Sequence, residues 1–247
     1  MMPLEPSPPC TPVSALVPTL GSQGFAVLGA DDVRHWLGAK PDELSQLHTS
    51  WNDLPKDAYL KDGGHYRRRR HSCFVVDAET VTQMPHRPHW QPLAYNALHG
   101  GMQRWFEPMA DAVVSHPLWQ RILLRLGETA SGLRSAQPWF VEAHPFRIDT
   151  TDGIGRPTPE GAHRDGVDLV AVFMLGRHGI KGAETRVFEA HGPSGQRFTL
   201  RDPWSVLLLD DERVIHESTP IQPLEDGALG WRDTLVLTYR RGGFQGD

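Results

Sequence analysis

The sequence predicts a mostly β protein of the α+β class, a sheet sandwich with helices packed on its outside. Two observations support this fold class. Apolar residues recur at helical spacing mainly in the first half of the chain. After Gln137, short runs rich in β-forming residues follow one another and are separated by glycine and proline. Helices followed by a run of short strands are typical of a sheet sandwich with helices on its outside.

Short helices and two strands are predicted in the first half. Apolar spacing and residues suited to helix starts predict four helices, at 31–37, 41–49, 102–109 and 118–126. The last two are separated at His116-Pro117, and Gly127 is the expected stop. Two strands are predicted, at 24–28 and 64–77.

Strand candidates dominate the second half. They lie at 139–148, 163–175, 185–190, 197–200, 205–210, 213–218 and 232–241. We predict one domain over residues 19–247, with its strand-rich core at about 137–241. The prolines of residues 1–18 predict a flexible tail before that domain.

Composition excludes several classes of protein. The net charge of -5 over 247 residues argues against a general nucleic-acid binder, which usually carries a basic surplus. No apolar run reaches the roughly 20 residues that cross a bilayer, and the first residues do not resemble a secretory signal. The two cysteines, Cys10 and Cys73, form no disulfide framework and fit a reducing compartment. We therefore expect a cytoplasmic protein that binds neither nucleic acid nor membrane, and the oligomeric state is not predicted.

The segment around His163 and Asp165, followed about fifty residues later by His216, is the strongest functional signal. On an extended segment, His163 and Asp165 point to one face, and a double-sheet jelly roll brings distant strands such as that of His216 beside them. Two imidazoles and a carboxylate form the facial triad of a non-haem iron site, which keeps positions open for a cosubstrate and dioxygen. A zinc hydrolase is the rival, but it favours histidine-rich ligand sets, and no HExxH motif is present.

Arg232 is a candidate for binding a dicarboxylic cosubstrate. It begins a β-rich strand sixteen residues after His216, and Thr234 falls on the same face of that strand. A guanidinium can donate two parallel hydrogen bonds to a carboxylate, and the Thr234 hydroxyl can add a third. The alternative is that Arg232 pairs with Asp233 or Asp226 at a strand edge.

Four consecutive arginines, Arg67 to Arg70, split two and two between the faces of the predicted strand. A solvated strand face is the expected interpretation. Binding of an anionic substrate is a second possibility, and nucleic-acid binding is a distant third.

Three segments resemble the bacterial iron(II)/2-oxoglutarate-dependent dioxygenases that include free-amino-acid hydroxylases such as isoleucine 4-hydroxylase. They are PEGAHRDGVDLVAVFMLGRHGIKGAETRVFE, PWSVLLLDDERVIHESTPI and WRDTLVLTYRR. The resemblance implies a double-stranded β-helix core (a cupin-like jelly roll), His163, Asp165 and His216 as Fe(II) ligands, and Arg232 on the C5 carboxylate of 2-oxoglutarate.

The resemblance also implies an activity. The enzyme would use dioxygen to hydroxylate an unactivated C–H bond of a small substrate, a free L-amino acid, and release succinate and CO2. Recognition of an amino acid needs a cation for its carboxylate, for which Arg147 or one of Arg67 to Arg70 is a candidate. Its ammonium needs an acceptor, for which Asp211, Asp210 or Glu184 is a candidate. The alternative function is a metal-binding cupin-like protein, an isomerase or a sensor, without oxygenase activity.

Overall fold

The computed structural model describes residues 6–246. The α-helices within this range are α1 (Leu16–Gln23), α2 (Ala30–Leu37), α3 (Pro41–His48), α4 (Asp111–Val114) and α5 (Pro117–Leu133). The strands are β1 (Phe25–Leu28), β2 (Arg67–Arg69), β3 (Ser72–Asp77), β4 (Thr80–Gln83), β5 (Trp139–Asp149), β6 (Leu169–His178), β7 (Ile180–Gly182), β8 (Thr185–Glu189), β9 (Gly195–Phe198), β10 (Val206–Asp210), β11 (Val214–Ser218), β12 (Ile221–Pro223) and β13 (Trp231–Arg240).

One large antiparallel sheet organises the fold. Its strand order is β1-β10-β6-β13-β5-β3-β4, and β2 also pairs with β5. A three-stranded sheet, β11-β8-β9, and a two-stranded sheet, β12-β7, complete the sandwich. The centre of the large sheet is the pairing of β13 with both β5 and β6, which connects segments far apart in the sequence.

The two faces of the large sheet have different partners because side chains alternate along a strand. Leu235, Leu237 and Tyr239 of β13 belong to the core that the sheet shares with the helices. Helix α5 buries Leu118, Trp119, Ile122, Leu123 and Leu126 in that core, which is the spacing of one helical face. The other face of the sheet packs against the small sheet through residues such as Met174 and Val187. The predicted sandwich with helices on its outside is confirmed.

The predicted flexible tail is wrong over much of its length. Residues 1–5 lie outside the described part, but the Thr11 N–H donates to the Val27 carbonyl over 2.7 Å. A short 3-10 helix, Val13–Ala15, then leads into α1, which buries Leu16 and Leu20. Burial of these leucines fixes a segment whose prolines had indicated disorder.

Two predicted elements of the first half also need correction. Residues 102–109 form no helix, although Phe106 and Met109 are buried as their apolar character predicts. Helix α5 continues past Gly127 to Leu133. A Cβ at Gly127 would lie 2.8 Å from the Val76 side chain, so this glycine permits close packing of α5 on β3 and does not end the helix.

The strand predicted from His163 begins only at Leu169. His163 and Asp165 lie in the loop before β6, and that loop is anchored on β11 by main-chain hydrogen bonds. None of the helices within residues 6–246 combines the length and apolar character that a bilayer crossing requires.

Candidate active site

A cavity lies on the face of the large sheet that turns away from the helices. Alternate residues of β5 and β13 line it, namely Glu142, His144, Phe146 and Ile148, with Arg232, Thr234, Val236 and Thr238. His163, Asp165 and His216 line the same cavity. The sandwich therefore gathers the sequence-predicted metal residues and the predicted cosubstrate residues around one space.

His163, Asp165 and His216 form a compact cluster of potential metal ligands. Each offers one ligand atom, and these atoms all lie within 4.8 Å of one another. The Nε2 atoms of His163 and His216 lie 3.8 Å from Oδ1 and Oδ2 of Asp165, respectively. This donor set of two imidazoles and one carboxylate fits a divalent iron.

The local backbone explains how a loop holds two of these residues. Gly161 and Gly166 flank them with φ values of +81° and +77°, which favour glycine. A Cβ at Gly166 would also lie 2.4 Å from the Tyr95 ring. The His163 ring places Nδ1 3.0 Å from the Gly161 carbonyl. If Nδ1–H donates there, Nε2 keeps its lone pair for a metal.

Asp211 holds the main chain around Asp165. Its Oδ1 accepts the Asp165 N–H over 3.0 Å, and its Oδ2 accepts the N–H groups of Gly166 and Val167 over 2.7 and 3.1 Å. Asp211 is fully buried and does not line the cavity. The prediction that Asp211 binds substrate is therefore wrong, because its carboxylate oxygens already accept three backbone N–H groups.

Burial and neighbouring charges shift the pKa values of the two histidines in opposite directions. It lowers the pKa of His216 to about 3, helped by the nearby His163, so the His216 ring is neutral. Burial also opposes the charged form of His163, but Asp165 and Glu160 more than offset it and raise the pKa of His163. A neutral imidazole is the form that binds a metal, so a divalent ion would compete with a proton at His163.

Gln91 is a neighbour of Asp165 that sequence reasoning missed. Its Nε2 donates to Asp165 Oδ1 over 3.3 Å. Its Oε1 accepts from Asn96 Nδ2 over 3.1 Å and from Arg104 Nη2 over 3.0 Å. These two donors fix the orientation of the Gln91 amide. Gln91 comes from a loop that shows no periodic pattern, so no sequence signal indicated it.

Arg232 and Thr234 both point into the cavity. The Arg232 side chain is buried, and its Nε has no hydrogen-bond partner among the described residues. Burial lowers the pKa of Arg232 to about 10, with Arg177 adding to the effect, so the guanidinium stays charged at neutral pH. A buried cation with a free donor can bind a carboxylate that enters the cavity.

Arg147 lies on the opposite face of β5 and does not line the cavity. Its Nε and Nη2 donate to the two oxygens of Asp233 over 2.7 and 2.6 Å, and its guanidinium lies 4.7 Å from the Trp231 ring. The prediction that Arg147 binds substrate is wrong. Strand alternation gives the reason, since Phe146 and Ile148 point inward.

A second cluster of titratable residues, of which all but His71 line the cavity, consists of His71, His89, Glu142 and His144. His71 Nε2 and His89 Nδ1 lie 3.4 and 3.1 Å from the two Glu142 oxygens. The His144 ring stacks on His71 with 4.8 Å between centroids. This four-residue cluster could also hold a metal by composition. Glu142 and His144 alternate on β5, but His71 and His89 come from irregular segments, so sequence spacing did not indicate the whole cluster.

Comparison with known proteins identifies the family. The family model described as 2OG-Fe dioxygenase matches residues 48–238. The chain belongs to this family. Its members use Fe(II), 2-oxoglutarate and dioxygen, and the protein is an oxygenase. The alternative of a cupin-like protein without oxygenase activity is thereby excluded.

Relatives in sequence and structure agree with this membership. The chain is 22% identical to "3(1)-hydroxy-L-isoleucine 4-dioxygenase" of Pantoea ananatis (strain AJ13355), covering 90% of this chain and 94% of that protein. It is 24% identical to "L-isoleucine-4-hydroxylase" of Bacillus thuringiensis, covering 79% and 82%. The crystal structure of a bsmA homolog from Methylobium petroleophilum PM1 has a TM-score of 0.91 and 53% identity, with 96% of each chain covered.

A more distant structure shows the same fold. The crystal structure of IDO from Bacillus thuringiensis superposes with a TM-score of 0.76 at 18% identity, covering 94% of this chain and 97% of that one. The chain therefore has the mostly antiparallel jelly-roll architecture that this structure also shows.

Proposed function

We propose that the protein hydroxylates an unactivated C–H bond of a free L-amino acid, with His163, Asp165 and His216 as the Fe(II) ligands. The observation that carries the proposal is their convergence in the cavity that Arg232 also lines. The names of the two sequence relatives, which refer to L-isoleucine and its hydroxy derivative, support an amino-acid substrate.

The side chains of this site have separate roles in binding the metal and the cosubstrate. His163, Asp165 and His216 would hold the iron, and Arg232 and Thr234 would bind the C5 carboxylate of 2-oxoglutarate. When bound, the iron supplies the oxidation, in which dioxygen, 2-oxoglutarate and R–H become R–OH, succinate and CO2. Asp211 holds the loop of Asp165 in place, and Val172 and Val236 give the cavity apolar walls that exclude water.

The four-residue cluster of His71, His89, Glu142 and His144 is a less suitable iron site. His144 Nδ1 already lies 2.7 Å from the Arg69 guanidinium, which can only donate to it. The Glu142 oxygens face His71 and His89. A guanidinium beside the cluster also repels a divalent cation. His163, Asp165 and His216 have no such cation within hydrogen-bond distance among the described residues.

The test is a screen of the twenty L-amino acids with Fe(II), ascorbate and 2-oxoglutarate. We expect at least one amino acid to gain the mass of one oxygen and to release succinate in equal amount. His163→Ala is expected to abolish both signals, and His35→Gln, at an exposed position of α2, to keep them. Succinate formation that no amino acid stimulates would overturn the substrate assignment.

A further inference from the structure

Two arginines on the cavity wall are buried without a carboxylate partner. Arg69, from β2, and Arg104, from the loop before α4, are 4% and 2% exposed. Within residues 6–246, neither forms an ion pair, and the Nε of each has no hydrogen-bond partner. Their polar contacts are to neutral groups, His144 Nδ1 for Arg69 and Gln91 Oε1 for Arg104.

The other arginines of the run Arg67 to Arg70 each have an acidic partner, unlike Arg69. Arg67 also lines the cavity, but its Nε donates to Asp57 Oδ2 over 2.7 Å. Arg68 and Arg70 point to the other face, where Arg68 lies 3.5 Å from Asp149 and Arg70 donates to Glu107 over 2.7 Å. The expectation of a solvated strand face is therefore wrong for Arg67 and Arg69. Only Arg69 of the four lacks an acidic partner.

The aromatic surroundings fix the Arg69 guanidinium in place. It lies 3.9 Å from the centre of the Phe106 ring and 4.4 Å from that of Phe146. Arg104 lies 5.9 Å from the same Phe106 ring. Cation–π contacts offset part of the cost of burying these charges. They do not provide an acceptor for the Nε of either guanidinium.

Two buried cations side by side repel one another, and burial disfavours both. Desolvation lowers the pKa of Arg104 to about 10, and the nearby Arg67 adds to this effect. The carboxylates of Asp57 and Glu142 offset part of this cost without contacting either guanidinium, and an anion in the cavity would offset more of it. Arg232 shows the same signature of a buried guanidinium with a free Nε, and its proposed ligand is also a carboxylate.

We infer that Arg69 and Arg104 together form the subsite that binds the carboxylate of the substrate. The inference rests on the proposed function and deepens it by naming the residues that recognise the substrate. Arg104 is joined to Asp165 through Gln91, with hydrogen bonds of 3.0 and 3.3 Å. The subsite therefore lies next to the proposed iron site, and a carboxylate bound there would present the rest of its molecule to the metal.

The test compares Arg69→Gln and Arg104→Gln with Arg68→Gln, the matched control on the outer face of the same strand. The probes are the most active amino acid of the screen and its carboxamide. Each inner variant is expected to raise the KM for the amino acid by about 10- to 100-fold, the effect of losing a charged hydrogen bond. The KM for 2-oxoglutarate should stay within about threefold, and the wild type should not oxidise the amide.

Failure of the carboxylate subsite and failure of the proposed substrate give different results. Equal turnover of acid and amide, or an unchanged KM in both inner variants, would overturn the subsite alone. A rise in the KM for 2-oxoglutarate would assign these arginines to the cosubstrate and also overturn the subsite. If the wild type makes succinate that no amino acid stimulates, the proposed substrate fails.

In that last case, thermal unfolding can test whether Arg69 and Arg104 bind a carboxylate, because it requires no catalytic reaction. The Fe(II)- and 2-oxoglutarate-loaded protein is then melted with short monocarboxylic acids and with their amides. The acids should raise the melting temperature of the wild type and of Arg68→Gln, and not that of Arg69→Gln or Arg104→Gln. Equal shifts in all four proteins would overturn the subsite.

Discussion

His163 and His216 exchange two main-chain hydrogen bonds, with each N–H donating to the carbonyl of the other residue over 3.0 and 2.9 Å. This isolated antiparallel bridge joins the loop of His163 to β11, which contains His216. The ring centroids are 4.6 Å apart as a result. Because the backbone sets this distance, replacing either ring should leave the bridge and the fold intact.

Replacement of Arg232 tests the cosubstrate assignment. Arg232→Gln is expected to raise the KM for 2-oxoglutarate by about 10- to 100-fold, because a charge-assisted hydrogen bond contributes about 1.5–3 kcal/mol. The KM for the amino acid should change little. Arg240→Gln, at the other end of the same strand, is the control and should behave as the wild type. Steady-state kinetics with varied 2-oxoglutarate measure the KM of both variants. Equal KM values for 2-oxoglutarate in Arg232→Gln and Arg240→Gln would refute the assignment.

Gln91 is expected to act on the metal through Asp165. Gln91→Ala removes the donor to Asp165 Oδ1 and should weaken Fe(II) binding by about 10- to 100-fold, as is usual for residues that orient metal ligands. Gln103→Ala, at an exposed position of the same loop region, is the control. Anaerobic titration with Fe(II) measures the dissociation constants. Equal constants for the two variants would show that Gln91 has no influence on the ligand.

Asp211 is expected to matter for stability because its buried carboxylate accepts three main-chain N–H groups, of which that of Val167 is buried and those of Asp165 and Gly166 are half-buried. Asp211→Ala leaves the buried donor unsatisfied and should lower the free energy of unfolding by about 1–3 kcal/mol, the cost of one buried group. Asp226→Ala, at an exposed turn, should change it by less than about 0.5 kcal/mol. Urea denaturation measures both, and a similar loss in the two variants would contradict this role.

The buried histidines predict a loss of stability in mild acid. Burial lowers the pKa of His89 from 6.5 to about 3, against the opposing effect of Glu142, and also lowers the pKa values of His71 and His144. At a pH between the pKa of a histidine in the unfolded chain and its lower pKa in the folded protein, the unfolded chain takes up protons that the folded protein does not. The stability linked to His89 is therefore fully present above about pH 6.5 and falls toward pH 3, by up to about 1.4 kcal/mol per pH unit. His71 and His144 add losses in the same direction.

The measurement is urea denaturation of the protein between pH 7 and pH 5. His89→Gln should flatten the decline, because one group no longer takes up a proton on unfolding, and the exposed His35→Gln should not. An equally steep decline in His89→Gln would mean that His89 does not contribute to the acid sensitivity.

Much of the site could be predicted because its chemistry has a local signature. The spacing of His163 and Asp165, the apolar strand before His216 and the alternation of Arg232 with Thr234 are visible in the sequence. The same alternation placed two of the four arginines on each face. It could not tell which pair faces the cavity, because that depends on how β2 pairs with β5.

The wrong predictions share a different cause. Arg147 and Asp211 carry suitable charges, but their partners, Asp233 and the backbone of residues 165–167, are supplied by the tertiary structure. Residues 102–109 have helical spacing, yet Arg104 pairs with His89 by main-chain hydrogen bonds in both directions. Arg104 and Gln91 reach the cavity from irregular segments, where no periodicity marks a residue as inward-facing.

Fe(II) binding by ligand variants tests the central assignment most directly. Under anaerobic equilibrium dialysis with 2-oxoglutarate, the wild type should bind one Fe(II) per chain. His163→Ala and His216→Ala should lose that binding while keeping the fold, and His71→Ala, in the four-residue cluster, should retain it. Retention of iron by both His163→Ala and His216→Ala, with its loss in His71→Ala, would place the metal in the other cluster and contradict the assignment of His163, Asp165 and His216 as ligands.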